Sequence, residues 1–326
     1  MIRALIHEAR HSHLEEIEPA RVKELVAAKD HIVWIDVIAP TPEEFATLTA
    51  EFNFHALAVE DAMKRHQRSK IDEYDDYYFL VLYALTTIQP SPDKCPNVVA
   101  EEISIFLGEG YLVTVHSGNV PVMEEAAQRW TQLQEEISPH SGTLLYAIID
   151  SIVDRYFEVV DVLAEQLDII EEQIFERFDT TLSREILALR KELLTIRRVL
   201  TPERDVINTL LRRDLPLLQA DLTVYLQDVY DHILRVTETV DTYRDLLSGT
   251  LDAYLSTVSN ELNQVMKKLT VFSTILMSAT LVAGVYGMNF LYMPELAQRW
   301  GYPFALGLML AIAVSLGIYF RRRGWY

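Results

Sequence analysis

Ten residues near the C-terminus recur at alternating steps of four and three, and none of them is a branched aliphatic or an aromatic residue. The repeat has a period of about 3.5 residues, so on a helix all ten would lie along one face. Hydroxyl and amide side chains in such a row suit contact with water and hydrated ions, whereas a dry helix pair would place Leu or Ile there. The row consists of Asp252, Ser256, Ser259, Asn263, Met266, Thr270, Ser273, Met277, Thr280 and Gly284.

Two interpretations of this row are open. In the first, symmetry-related copies of the helix surround a water-filled pore, and each position of the row forms a ring of identical side chains. In the second, the small residues let helices approach each other closely inside a membrane.

The elements that would position the row are two uncharged apolar segments, about 269–287 and 302–320. Each is close to the roughly 20 residues that a helix needs to cross a bilayer. We therefore predict two transmembrane helices joined by an outer loop, 288–301. Lys residues precede the first segment and Arg residues follow the second. Because positive charge favours the cytosolic side of a membrane, both termini are expected in the cytosol. Two spans cannot enclose a channel alone, so a pore requires an oligomer.

The composition indicates an acidic protein, whose surface charge would attract cations or would simply keep the protein soluble. Among 326 residues, 48 are Asp or Glu and 29 are Lys or Arg, and the formal net charge is −19. Such a charge repels the phosphates of nucleic acids. The single cysteine, Cys95, excludes an internal disulfide. The first residues lack the apolar core of a signal peptide, so the large N-terminal part is expected in the cytosol.

The N-terminal region mixes strand and helix patterns and predicts a soluble α/β or α+β domain. Strands are expected over 32–38 and 77–88 and as a hairpin within 101–118, with Gly108-Glu109-Gly110 as its turn. A helix is expected over 41–52, with Thr41 as the N-cap and Pro42 in the first position.

Helical periodicity follows from Thr143 to about Arg213, and Thr201-Pro202-Glu203 is expected to restart or kink a helix. The acidic residues of this segment are interpreted mainly as a solvated face. No proline interrupts the segment from Asp221 to Tyr286, so we predict one helix about 100 Å long that continues into the first span.

The chain is therefore expected to have three parts. Residues 1–142 would form a cytosolic α/β domain, residues 143–268 a cytosolic helical stalk or funnel, and residues 269–326 the transmembrane domain.

The first span ends with Tyr286-Gly287-Met288-Asn289-Phe290, and Met293-Pro294-Glu295-Leu296 follows. Between two C-terminal spans, these motifs closely resemble the CorA family of magnesium and cobalt channels. Four further segments are similar to that family: "VEDAMKRHQRSKID" (59–72), "LLYAIIDSIVDRYF" (144–157), "QDVYDHILRVTETVDTYRDLLSG" (227–249) and "YLSTVSNELNQVMKKLTVFSTILM" (254–277).

The resemblance covers essentially the whole chain and implies an α+β protein. Its N-terminal cytosolic α/β domain would sit on a very long helix that continues into the membrane, followed by a second transmembrane helix. Five copies would form a funnel-shaped homopentamer in the cell membrane. The assembly would carry Mg²⁺, and Co²⁺ as well, into the cell.

The resemblance also implies roles for individual residues. Gly287, Met288 and Asn289 would form the selectivity filter. Magnesium loses its water shell reluctantly, so a ring of Asn289 amides would hold the hydrated ion without trapping it. Met266 and Leu269 would form a hydrophobic gate. The pore-lining positions would be Asp252, Asn263, Met266, Leu269, Thr270, Ser273, Met277, Thr280 and Gly284.

Regulation by intracellular Mg²⁺ is a further implication. In the family, divalent ions bind between neighbouring cytosolic domains and hold the pore closed. Asp150 and Asp228 fall on acidic positions of those sites. The N-terminal domain would supply another acid, but this chain has none at the aligned position. Asp93 or a water-mediated contact would have to replace it.

Two other functions are compatible with these sequence features. A zinc transporter of the same superfamily would share the fold and the Gly-Met-Asn motif. A membrane-anchored sensor would bind divalent ions without conducting them. An enzyme is not expected, because no phosphate-binding loop, nucleophile elbow or His-rich ligand motif occurs in the sequence.

Overall fold

The structure is a computed structural model that describes residues 1–6, 15–16, 32–88, 95–118, 120–133, 137, 140–176, 181–212, 218, 220–289, 293–294 and 298–325. Its contacts divide the chain into two units. The first contains residues 1–173 and 179–250, and the second contains residues 174–178 and 251–326. The boundaries expected from the sequence, after residues 142 and 268, stay predictions.

A mixed sheet of seven strands forms the first unit's N-terminal part, in the order β2-β1-β3-β7-β6-β5-β4. Strands β3 and β7 pair in parallel, and the other neighbouring strands pair antiparallel. The strands are β1 (Ile2–Ile6), β2 (Glu15–Glu16), β3 (Val33–Ile38), β4 (Lys70–Glu73), β5 (Tyr77–Ile88), β6 (Asn97–Gly108) and β7 (Tyr111–His116).

The hairpin between β6 and β7 confirms the predicted turn. Gly110 has a φ of 79°, a conformation that residues with a Cβ rarely adopt. A Cβ on Gly108 would lie 2.1 Å from Cζ of Tyr111, so any other residue would require the Tyr111 ring to move. The sequence predicted β3, β5, β6 and β7, and it did not predict β1, β2 or β4.

Helices α1 (Pro42–Phe52) and α2 (Ala56–Lys64) share one hydrophobic core with the sheet. Helix α1 starts where the sequence predicts. The Thr41 hydroxyl accepts the N–H of Glu44 at 3.2 Å, and the Glu44 carboxylate accepts the N–H of Thr41 at 2.9 Å. This reciprocal cap satisfies two donors that a helix end otherwise leaves unpaired.

A polar network lies inside the sheet, across β1, β3 and β7. The Asp36 carboxylate accepts hydrogen bonds from Arg3 Nε at 3.0 Å and Thr114 Oγ1 at 2.6 Å, and it lies 2.9 Å from His116 Nε2. Trp34 Nε1 donates to Thr114 Oγ1 at 3.0 Å. Burial raises the pKa of Asp36, but His116, Thr114 and Arg3 together lower that pKa below its usual value. The network therefore holds an ionised carboxylate in the core.

Helices α3 (Val122–Leu133), α4 (Ser141–Glu176) and α5 (Leu182–Arg212) complete this part of the first unit. Helix α5 packs against β4, β5 and β6. Pro202 lies inside α5, so Thr201-Pro202-Glu203 does not restart a helix, and the alternative expectation of a kink stays a prediction. Pro202 and Glu203 are both buried, and tertiary packing of this kind can outweigh the lost backbone hydrogen bond of a proline.

Helix α6 (Thr223–Tyr286) follows a short 3₁₀ turn, Ala220–Leu222, and confirms the prediction of one long helix. Helix α7 (Gly301–Arg322) is the last element. Both α6 and α7 are long and apolar enough to cross a membrane. Only 11% and 6% of their apolar windows are buried within the chain, whereas the core helices of soluble proteins are mostly buried.

Candidate functional site

The ten residues of the polar row all lie on α6 and are all exposed in the single chain. Even the apolar members face outward, and Met277 is 72% exposed. Leu269, which the family resemblance added as a gate residue, is 57% exposed. Whatever contacts this face of α6 is therefore not supplied by the described residues of the same chain.

The row lies on the side of α6 that faces away from the chain's own contacts. Within the predicted span, the less exposed positions include Val271, Thr274, Ile275, Ser278 and Val282. A helix turns by about 100° per residue, which places the centre of the row roughly 150° from the centre of that covered face. The two faces are thus nearly opposite.

Two threonines of the row are oriented by their own backbone. The hydroxyl of Thr270 donates to the carbonyl of Met266, and that of Thr280 donates to the carbonyl of Leu276, both at 2.8 Å. A hydroxyl has one hydrogen and two lone pairs, so each of these oxygens keeps capacity to accept. The row therefore offers acceptors, which suits a hydrated cation whose water molecules donate.

The predicted filter lies directly beyond the end of α6. The N–H of Gly287 donates to the carbonyl of Ala283 at 2.9 Å, and Met288 and Asn289 follow as exposed residues. A Cβ on Gly287 would lie 3.1 Å from the Ala283 oxygen. Close packing against a backbone carbonyl therefore favours glycine here. Among the described glycines, positive φ occurs at Gly110 and Gly324 and not at Gly287.

The described residues do not include every member of the outer motif. Phe290 and Glu295, which belong to the two motifs after the first span, lie outside them. The same is true of Asp93, the suggested substitute for a regulatory acid.

A second candidate site lies in the first unit, around the predicted regulatory residue Asp150. Asp150 and Asp154 project from successive turns of α4, and Arg129 of α3 binds both carboxylates, with Nη2 2.6 Å from Asp154. The hydroxyl of Tyr146 also donates to Asp150, at 3.2 Å. The acidic pair is thus already neutralised in part by a neighbouring helix.

Helix α6 adds a histidine to this cluster. One ligand atom each from Asp150, Asp154 and His232 lies within 4.8 Å of the others. Asp228, one turn before His232, has its carboxylate 3.8 Å from His232 Nε2. Asp228 is 65% exposed at its side chain, whereas Asp150 is 11% exposed. The structure therefore groups Asp150 with Asp154 and His232, and it leaves Asp228 at the outer edge.

The buried surroundings of Asp150 disfavour an ionised carboxylate that has no positive partner. Burial raises the pKa of Asp150, and the Arg129 guanidinium counteracts this effect. Burial likewise disfavours the charge on Arg129, but Asp154 and Asp150 raise its pKa overall. A cation bound by Asp150 and Asp154 would have to compete with Arg129. Carboxylate oxygens suit Mg²⁺, and the imidazole of His232 suits Co²⁺ or Zn²⁺.

Sequence reasoning missed Arg129 and His232. His232 lies four residues after Asp228, a spacing that places the two on one helical face and could have been noticed. Arg129 offers no comparable signal, because its contacts to α4 join residues 21 and 25 positions apart on different helices.

Comparison with known proteins agrees with this architecture. The family described as CorA-like Mg²⁺ transporter protein matches residues 29–322. The cobalt/magnesium transport protein CorA of Thermotoga maritima is 36% identical over 295 residues, which are 90% of this chain and 83% of that protein.

Solved structures show the same fold. The complete structure of the CorA magnesium transporter from Methanocaldococcus jannaschii aligns with a TM-score of 0.78 at 26% identity, covering 90% of this chain and 92% of that one. The cytoplasmic domain of ZntB from Vibrio parahaemolyticus aligns with a TM-score of 0.58 at 19% identity, covering 70% of this chain and 88% of that one. This second likeness shows the fold alone. From the matched length and the identity to the Thermotoga protein, the chain belongs to the CorA-like Mg²⁺ transporter family.

Proposed function

We propose that this membrane protein carries Mg²⁺, and Co²⁺ as well, through a pore surrounded by the α6 helices of a homopentamer. The observation that supports this most is the exposed polar row on α6, nearly opposite the face that the chain covers itself. Lipid would disfavour a row of Ser, Thr and Asn, and water would not. Neighbouring copies around a wet axis give these residues a suitable environment.

The chemistry of the row fits an ion that keeps its water shell. Mg²⁺ dehydrates reluctantly and binds best where acceptors contact its water molecules. Thr280 and Thr270 supply such acceptors, and five Asn289 amides would supply more at the outer end. Met266 and Leu269 would narrow the inner part of the pore. Both termini would face the cytosol, as the flanking positive charges predict.

Ion flux into proteoliposomes tests the proposal. Replacing Asn289 by Ala removes the amide ring, and we expect Mg²⁺ flux to fall at least about tenfold, as for the loss of several hydrogen bonds to a charged ligand. Ser278→Ala is the matched control, because Ser278 lies on the covered face and its hydroxyl donates to the Thr274 carbonyl. Its flux should stay near that of the unmodified protein.

The same assay separates the competing functions. A preference for Zn²⁺ over Mg²⁺ would favour the zinc transporter. Binding of Mg²⁺ without any flux would favour a sensor. Equal flux by Asn289→Ala and the unmodified protein would exclude the proposed filter.

We further propose that cytosolic Mg²⁺ inhibits transport by binding to Asp150 and Asp228. Of the two acids, Asp228 is the more accessible to a neighbouring copy, since its side chain is 65% exposed. We expect Asp228→Asn to shift inhibition to higher Mg²⁺ concentration, because one carboxylate of the site is lost. Asp231→Asn, an exposed acid on the same helix, is the control. An unchanged inhibition curve in Asp228→Asn would remove Asp228 from the site.

A further inference from the structure

A cavity of about 1000 Å³ opens in the first unit, and its lining includes no residue of the polar row or of the Asp150 cluster. The loop before β4 forms one wall through residues 66–69, and α5 forms another through residues 194–202. Tyr83 of β5 and Ala100 of β6 also line it. Cavities of about 300–1000 Å³ are typical of sites for small organic ligands.

The charge of this cavity is opposite to that of the whole protein. Arg68, Arg197 and Arg198 all line it, together with His66. Of the described residues in its lining, none is acidic, although the chain carries 48 acidic residues against 29 basic ones. Three arginines around one cavity in an acidic protein favour an anionic occupant.

One buried hydroxyl in the cavity wall has no partner. Ser69 is 6% exposed, and its Oγ makes no hydrogen bond in the structure. Buried hydroxyls are nearly always paired, and Ser69 places an unpaired donor beside the cavity.

The loop that carries these residues is held in an uncommon conformation. Arg65 and His66 have positive φ values of 54° and 66°, which residues with a Cβ rarely adopt. The Glu102 carboxylate accepts the N–H of Gln67 at 3.0 Å and the hydroxyl of Tyr83 at 2.9 Å. The sheet thus fixes the backbone of the loop while Arg68 lines the cavity, an arrangement often found at binding sites.

We infer that this cavity binds a small phosphate-bearing ligand with a flat apolar part, which is the chemistry of a nucleotide. Arginine guanidinium groups recognise phosphate oxygens through paired hydrogen bonds. Leu194, Val199 and Pro202 provide an apolar wall for the flat part. This inference is independent of the proposed ion transport.

Arg198 is the arginine most available to the ligand. Arg197 pairs with Asp241 at 2.9 Å, and Arg68 lies 3.9 Å from Asp205. Arg198 is exposed and has no ion pair with another residue that the structure describes. Its substitution should therefore disturb the fold least.

Calorimetric titration of the full-length protein in detergent tests the inference, with EDTA present so that no divalent ion bridges ligand and protein. The probes are ATP, adenosine and tripolyphosphate. We expect saturable binding of ATP, weaker binding of tripolyphosphate and no binding of adenosine. Absence of ATP binding at millimolar concentration would overturn the inference, as would equal affinity for ATP and tripolyphosphate.

Variants locate the site. Arg198→Glu should weaken ATP binding by about tenfold or more, because a charged hydrogen bond is lost and repulsion is added. Arg190→Glu makes the same charge change two turns earlier on α5, outside the cavity, and should leave binding within about twofold. Ser69→Ala should weaken binding by about threefold without lowering the melting temperature. Equal losses in the two arginine variants would show that the effect is non-specific and would reject the site.

Discussion

Helix α6 is continuous, but its first part is packed within the chain and its second part is mostly exposed. Residues 223–250 belong to the first unit, where they bury a regular row of apolar side chains. Between residues 255 and 286, the only buried position is Val271. The exposed residues of that second part include Phe272, Leu276 and Leu281. The first part is therefore packed within its own chain, whereas the described residues of that chain leave most of the second part exposed.

The largest expected effect is a difference in the free energy of unfolding between substitutions in the two parts of α6. Ile233 is fully buried in the first part, and Met277 is 72% exposed in the second. Ile233→Ala should lower the free energy of unfolding by about 2–5 kcal/mol, because it leaves a cavity in a packed core. Met277→Ala should leave the unfolding of the first unit unchanged.

Urea unfolding of the full-length protein, followed by tryptophan fluorescence, measures this difference. Trp34 and Trp130 are buried in the first unit and report its unfolding. Equal destabilisation by both substitutions would contradict the division of α6 into a self-supported part and a partner-dependent part.

The next effect concerns pH and is confined to the first unit. Glu203 of α5 is 1% exposed, and its carboxyl contacts the hydroxyl of Tyr156 and accepts the N–H of Tyr83 at 2.5 Å. Tyr156 has a single hydroxyl hydrogen but contacts two acceptors, Glu203 and the carbonyl of Tyr83. A protonated Glu203 supplies the second hydrogen. Burial accordingly raises the pKa of Glu203 to about 8.

The sign of the pH effect follows from that shift. The unfolded chain ionises Glu203 near its ordinary pKa of about 4.3, whereas the folded chain keeps it neutral up to about pH 8. Stability from this group is complete below the unfolded pKa and is lost as pH rises to about 8, by an amount on the order of a few kcal/mol. The first predicted span, residues 269–286, contains no Asp, Glu, Lys, Arg or His, so these residue types contribute no pH dependence there.

Glu203→Gln tests this pH dependence, because an amide can donate to Tyr156 and does not titrate. Unfolding free energies at pH 5.5 and pH 8.5 should differ less in the variant than in the unmodified protein. An identical pH dependence in both proteins would show that Glu203 is already ionised in the fold.

The smallest effect concerns one acceptor in the second part of α6. Thr280→Val keeps the shape of the side chain and removes its hydroxyl, so we expect Mg²⁺ flux to fall by about threefold. Thr280→Ser should restore most of the flux. Thr274→Val, on the covered face of the same helix, is the control. A loss in Thr274→Val as large as that in Thr280→Val would argue against a polar row that faces the ion.

The sequence predicted α6 well because its evidence is local. The missing prolines allow one helix, and the 3.5-residue repeat isolates one face, which the structure shows to be exposed. The cap at Thr41 and the turn at Gly110 were found for the same reason. The pore roles of Asn289 and its neighbours came from family resemblance and stay predictions.

The features that the sequence did not predict depend on contacts between distant segments. Arg129 meets Asp150 only after α3 and α4 pack together, and Pro202 continues a helix because its surroundings are buried. Short strands such as β1 and β4 gain their pairing from neighbours, and their own residues carry a weak signal. The basic cavity likewise joins a loop and a helix more than 120 residues apart.

The polar network at Asp36 has a consequence for how the sheet assembles. Both faces of β3 are buried, so alternation of apolar residues alone cannot select its alignment with β7. Arg3, Asp36 and Thr114 are direct neighbours across β1, β3 and β7. A shift of one position between β3 and β7 would separate the Asp36 carboxylate from Thr114 and His116, and a buried charge that loses its hydrogen-bond partners costs free energy. The polar partners of Asp36 therefore favour one alignment of β3 with β7, two strands that are separated by about 80 residues in the chain.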